Sequence, residues 1–392
     1  MKISRRQVAL LAAAGTALLL APVPGLAQSD TVKIGLILPM TGPFASTGRQ
    51  IDAAVKVYLQ KHGSTAAGKK IEVILKDDGG TADTTRRIAQ ELVVNEKVAV
   101  LAGFGLTPLA LATAPIATQA KVPMIVMAAA TSSITEQSPF IVRTGFTLPQ
   151  VTLPMAEWAA KNNMKKVVTL VTDYGPGIDA ENQFKKSFGA AGGSVPAELR
   201  VPLKNPDFAP FLQRVRDASP DAVFVFVPSG VGSIFMKQFA ERGLDKGGIK
   251  LIATGDVTDD DILDGMGDVA LGVINAHHYS AAHDSPLNRE YVAAMRKSAN
   301  LRPNFHSVGG YDGMHLIVKA LEATKGDTSG DALVSAMKGM AWESPRGPIS
   351  IDKDTRDVTQ NVYIRRVERV DGQLWNIEFQ TVSAVKDPGK QK

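Results

Sequence analysis

The chain has 392 residues, 44% hydrophobic and 21% charged, a globular composition that excludes a disordered or fibrous protein. Net charge is +5, and Lys2, Arg5 and Arg6 supply three positives in a segment expected to be removed; the remaining +2 gives no electrostatic footprint for nucleic acid. Cysteine is absent, which excludes disulfides, thiolate metal sites and cysteine nucleophiles.

The N-terminus reads as a signal peptide at 1–27. Three basic residues precede the apolar run 8–20, and Gly25-Leu26-Ala27 sets small residues at −3 and −1 of a cleavage site before Gln28. The run is too short for a membrane span of about 20 residues, and Pro22 and Pro24 interrupt any continuation. Export to a periplasm is therefore expected. Ser4-Arg5-Arg6-Gln7-Val8 also partly resembles a twin-arginine signal, so two export routes stay open.

Apolar runs then alternate with helical patterns. Strands are expected at 32–39, 70–76, 98–102 and 122–127, with helices at 47–62, around Ile88, Leu92 and Val93, and at 108–119. The alternation restarts with strands at 167–171, 221–227, 250–253 and 271–276, and helices at 180–191, 208–218 and 232–242. Helices at 287–299 and 307–324 follow. Runs at 362–370 and 373–379 flank Asp371-Gly372, a hairpin signal. Unbroken Val/Ile/Leu strands imply parallel sheets covered by helices, so the expected class is α/β with two doubly wound units and an antiparallel C-terminal addition.

Open α/β sheets bind ligands beyond the carboxyl ends of their strands. The loops there are 39–48 (PMTGPFASTG), 103–108 (GFGLTP), 128–133 (AAATSS), 172–177 (TDYGPG) and 254–256 (TGD). The first three carry glycines and hydroxyls and no catalytic base. A helix opening at Pro108 behind Thr107 offers N–H groups and a hydroxyl to an anion; equally, Thr107 could serve only as a helix cap.

IGLILPMTGPFASTG, KDDGGTAD, GFGLTPLALA, VPMIVMAAATSSITE, DYGPGIDAE, KQFAERGL and GYDGMHLIVKALE stand in an order that resembles the type I periplasmic solute-binding proteins of the leucine/isoleucine/valine-binding family, from about 32 to 379. That resemblance implies two Rossmann-like lobes joined by a three-segment hinge: lobe 1 at 31–147 and 279–345, lobe 2 at 148–278 and 346–392. Crossings fall near 144–146, 278–279 and 344–347. It implies a receptor that captures a small carboxylate, a hydrophobic amino acid or an aromatic or other organic acid, by hinge closure. The receptor would deliver it to the permease and ATPase of an ABC importer, as a monomer without cofactor or metal. The alternative is a sensory binder of the same fold that signals to a partner protein.

Within the resemblance, Thr107, Ala129 and Thr131 match the carboxylate contacts, Thr47 a side-chain pocket position, and Asp256 the acid that pairs with a ligand ammonium. Tyr174 and Pro176 belong to the lobe 2 wall. Pro176 departs from a frequent tyrosine, Ser229 or Pro228 replaces a second aromatic, and the Asp-Tyr-x-Pro-Gly-x-Asp-Ala-Glu pattern is similar to relatives that take aromatic or other organic carboxylates.

Rival chemistries lack support. Gly103-x-Gly105 begins a dinucleotide fingerprint, but Pro108 stands at its third glycine. No G-x-x-x-x-G-K-[ST] or G-x-S-x-G motif occurs. His277, His278 and His283 lack acids at ligand spacing, which favours a structural role. Asp259, Asp260 and Asp261 read as a charged helix N-terminus rather than a calcium loop.

Overall fold

The computed structural model describes residues 31–390, so the expected signal peptide lies outside the described residues. The first half runs β1 (Thr31–Leu38), α1 (Ala45–His62), β2 (Thr65–Ala66), β3 (Lys69–Asp77), α2 (Ala82–Val94), β4 (Val100–Gly103), α3 (Thr107–Ala120), β5 (Met124–Val126) and β6 (Ile141–Arg143). Its sheet has the order β2-β3-β1-β4-β5-β6, and every pairing except β2 with β3 is parallel. The apolar runs form central strands because helices cover both faces; every residue of β4, β5 and β6 is buried.

The second half runs α4 (Leu148–Lys161), β7 (Val167–Thr172), α5 (Gly175–Ala190), β8 (Glu198–Val201), α6 (Ala209–Ala218), β9 (Ala222–Phe226), α7 (Gly232–Glu241), β10 (Lys250–Thr254) and β11 (Ile274–His277). Then α8 (Pro286–Ala299), α9 (Phe305–Ala323) and α10 (Gly330–Met337) return to the first half: α8 and α9 pack on α1, and α10 meets β6. The chain ends in β12 (Ala341–Ser344), β13 (Gly347–Ile351), β14 (Val358–Val370) and β15 (Gln373–Val385). The second sheet has the order β12-β13-β14-β11-β10-β9-β7-β8, with β15 on β14. Asp371 and Gly372 take φ of 50° and 80°, which closes the expected hairpin with a left-handed turn.

Local chemistry sets the helix starts beneath the cleft. Thr147 and Gln150 form a reciprocal capping box at α4, and the Asn304 side chain accepts from the His306 and Ser307 N–H groups at α9. Ser344 pairs with Gly347, so the expected third crossing is a hairpin turn inside the second sheet. Arg346 in that turn is fully buried. It donates to Thr144 O (2.6 Å) and Gly145 O (3.1 Å) and pairs with Asp312 of α9 at 2.7 Å.

Two expectations need correction. Helix α5 begins at Gly175, five residues before the expected start, because Pro176 opens its first turn. The triad Asp259, Asp260 and Asp261 does not open an α-helix. It lies in a turn before a short 3₁₀ segment, Leu263–Ala270, with Asp259 and Asp260 buried, because Arg365, Asn304 and Asn376 supply the partners that exposure would otherwise provide.

Candidate functional site

A narrow cleft lies between the carboxyl ends of the two sheets, lined by residues of both halves, with a cavity volume of about 30 Å³. Helix starts dominate its lining. Phe44 caps α1 and Thr47 lies in its first turn; Leu106 caps α3 and Thr107 opens it; Leu148 opens α4; Tyr174 caps α5 with Pro176 just inside; His306 lies in the first turn of α9. Five helix N-termini thus converge, each with the equivalent of about half a positive charge. Among the described residues, no lysine or arginine lines the cleft. The arrangement suits an anion held by dipoles and hydroxyls.

Thr107 Oγ1 and Thr131 Oγ1 share a buried hydrogen bond of 2.8 Å, so Thr131 stands directly behind the lining. The loop 129–131 is held from below. Arg143, wholly buried, donates through Nη1 to Ala129 O (3.0 Å) and Phe146 O (3.2 Å) and through Nη2 to Thr131 O (2.7 Å). Asp357, from the C-terminal segment, pairs with Arg143 Nε at 2.6 Å. With the carbonyls tied back, the N–H groups of Ala130 and Thr131 engage no backbone acceptor, whereas the Ala129 N–H donates to Phe104 O at 3.0 Å.

The two sides of the cleft touch. A Cβ on Gly175 would lie 2.5 Å from Thr131 Oγ1, and one on Gly230 would lie 2.4 Å from Pro43 O. Only glycine permits these approaches. Ser46 Oγ donates to Asp261 Oδ2 across the gap.

The far end is titratable. Asp256 is 4% exposed, and burial pushes its carboxyl up to about 6 against the pull of His306. Burial pushes His306 down to about 4, opposed by Asp256. His277 is driven well below its ordinary value by burial and by Arg365, and its Nε2 lies 3.4 Å from Asp256 Oδ2. His278 is likewise depressed by burial, and His283 accepts or donates a 2.8 Å hydrogen bond with Glu378.

A family model described as periplasmic binding protein matches residues 31–373. The chain belongs to that family. Leu/Ile/Val-binding protein homolog 6 of Brucella melitensis biotype 1 is 46% identical over 368 residues, 93% of this chain and 94% of that protein. The crystal structure of a solute binding protein of an ABC transporter from Rhodopseudomonas palustris BisB5, in complex with 3,4-dihydroxybenzoic acid, is 65% identical; the match covers 93% of this chain and 100% of that one, with a TM-score of 0.91. A second such protein from R. palustris HaA2, in complex with p-hydroxybenzoic acid, is 44% identical over 92% of this chain and 100% of that one, with a TM-score of 0.90.

In this periplasmic binding protein, Thr47, Thr107, Ala129, Tyr174, Pro176 and Asp256 line one cleft, and Thr131 sits one hydrogen bond behind it. Sequence reasoning missed His306, Phe146 and Phe226 on the walls and Arg143 underneath. Thr131 lies in one of the stretches that carried the family resemblance, but nothing local marked Arg143 as inward. The Asn304 cap was the one local signal near His306.

Proposed function

We propose that this chain is the solute-binding receptor of an ABC importer and that it captures an aromatic carboxylate between two lobes by hinge closure. The observation that carries the reading is the convergence of five helix N-termini and the Thr107–Thr131 hydroxyl pair on a cleft walled by Phe44, Phe146, Tyr174 and Phe226. The flat walls suit a ring, and Tyr174 and Phe226 already stack, with centroids 6.1 Å apart. The carboxylate would take the N–H groups of Thr107, Ala130 and Thr131. The ligands named for the two R. palustris relatives support an aromatic acid over an amino acid.

In this reading lobe 1 comprises 31–147 and 279–340 and lobe 2 comprises 148–278 and 341–392, the last boundary moved from the expected 345 because β12 pairs within the second sheet. The segment 1–27 directs export, and the partners are a permease and its ATPase. A monomeric receptor without enzymatic activity suffices. Shifting closure from 1:99 to 99:1 takes about 5.5 kcal/mol of differential binding, within the roughly 8 kcal/mol of a micromolar ligand.

The test is a thermal-shift screen of the mature chain with benzoate, 3,4-dihydroxybenzoate, L-leucine and succinate. An aromatic acid at a thousand times its Kd adds about 4 kcal/mol of stability. A shift with L-leucine alone overturns the aromatic reading, and no shift with any of the four overturns the carboxylate reading.

A further inference from the structure

At the cleft end away from the threonines, Asp256 approaches from the turn after β10 and His306 from the first turn of α9, a helix packed on α1 of the first half. Both are more than nine-tenths buried. Asp256 Oδ2 and His306 Nδ1 make no hydrogen bond among the described residues, and neither does His277 Nε2 beside Asp256. Buried polar atoms left unpaired are costly, and Asp256 and His306 both line the cleft, with His277 behind Asp256, so the pair marks a place where a bound molecule completes the bonding.

The character of the pair narrows what that molecule brings. A closed Asp–His ion pair would raise the histidine and lower the acid; here burial moves each the other way. The histidine is therefore neutral and offers one N–H and one lone pair. A ligand whose carboxylate already adds a negative charge to the cleft is best matched here by a neutral group that both donates and accepts. A hydroxyl does both; an ammonium donates only.

We propose that Asp256 and His306 form the hydroxyl-reading end of the cleft, where a ring hydroxyl of an aromatic acid donates to the Asp256 carboxyl and accepts from the His306 ring N–H. This rests on the aromatic-carboxylate reading and adds the residues that select among such acids. Because the two side chains come from opposite sides of the cleft, the hydroxyl bridges them, and the preference for hydroxylated rings is expressed in closure itself.

Calorimetric titration of the mature chain with benzoate, 4-hydroxybenzoate, 3,4-dihydroxybenzoate and L-phenylalanine tests this. The wild type binds the hydroxylated acids more than tenfold tighter than benzoate. Asp256→Leu and His306→Phe each collapse that ratio to within about threefold, because an apolar wall no longer distinguishes the rings. Two substitutions are used so that one unfolded variant leaves the other to decide, with circular dichroism as the folding control. A ratio that survives in both folded variants overturns the proposal, as does a wild type that binds benzoate equally well; either leaves the aromatic reading standing. Tighter binding of L-phenylalanine than of any aromatic acid assigns Asp256 to an ammonium and overturns it too. No binding of any aromatic acid removes the underlying reading instead.

Discussion

Replacing Asp256 by Asn keeps the shape of the side chain and removes its charge, so the pH dependence of the difference from wild type isolates one buried carboxyl. The folded protein holds the Asp256 proton up to about pH 6, whereas the unfolded chain releases it near 3.8. Below pH 3.8 both forms are protonated and the group contributes nothing. Between 3.8 and 6 the unfolded chain gains from ionising while the folded one does not, so wild-type stability falls as pH rises through this window. The full loss is about 3 kcal/mol and persists at pH 7.

His306 acts in the opposite sense. Its folded value of about 4 lies below its ordinary 6.5, so its contribution rises over nearly the same range. The two slopes largely cancel in the wild type and separate in Asp256→Asn. The other groups facing Asp256 are Arg365 on β14 and His277 on β11, with Asp259 and Tyr174 also in its field; all are retained in the variant. Urea unfolding of ligand-free protein at intervals from pH 3.5 to 7 measures the effect. The variant should gain about 3 kcal/mol on the wild type across that range. A difference that stays within 1 kcal/mol at every pH would refute the reasoning, because it would mean that water reaches Asp256 in the resting protein.

Thr131→Val removes the hydroxyl that partners Thr107 and should weaken carboxylate binding roughly tenfold or more by calorimetry; unchanged affinity would take the pair out of the site. Gly175→Ala puts a methyl 2.5 Å from Thr131 Oγ1, so closure should fail: affinity falls with little change in the unfolding midpoint, and small-angle scattering shows no ligand-induced compaction. Asp357→Asn strands the buried Arg143 charge and should cost about 3–5 kcal/mol in urea unfolding, with a loss under 1 kcal/mol counting against the buried pair. Affinity should change less than threefold between low and high sodium chloride, since the lining has no cation to screen.

The sheets were legible because strands buried on both faces leave continuous apolar runs, as in β4, and the terminal hairpin because Asp371-Gly372 fits a left-handed turn. Strand β8 escaped notice: four residues alternating exposed and buried carry too short a period to stand out. Thr107 and Asp256 could be read because they directly follow strands, where open sheets bind ligands. His306 could not. It lies 50 positions from Asp256, and only the packing of α9 on α1 brings it to the cleft. Arg143 and Arg365 belong to strands, and their burial depends on Asp357 and Asp260, partners that tertiary structure alone supplies.

The absence of lysine and arginine from the lining bears on unloading as much as on capture. A nutrient clamped by a formal cation would have to break that tie or carry a counter-ion away with it. On the proposed reading, solvent would hydrate the helix ends and the departing anion together once the halves part, so release at the importer would require no formal ion pair to be broken.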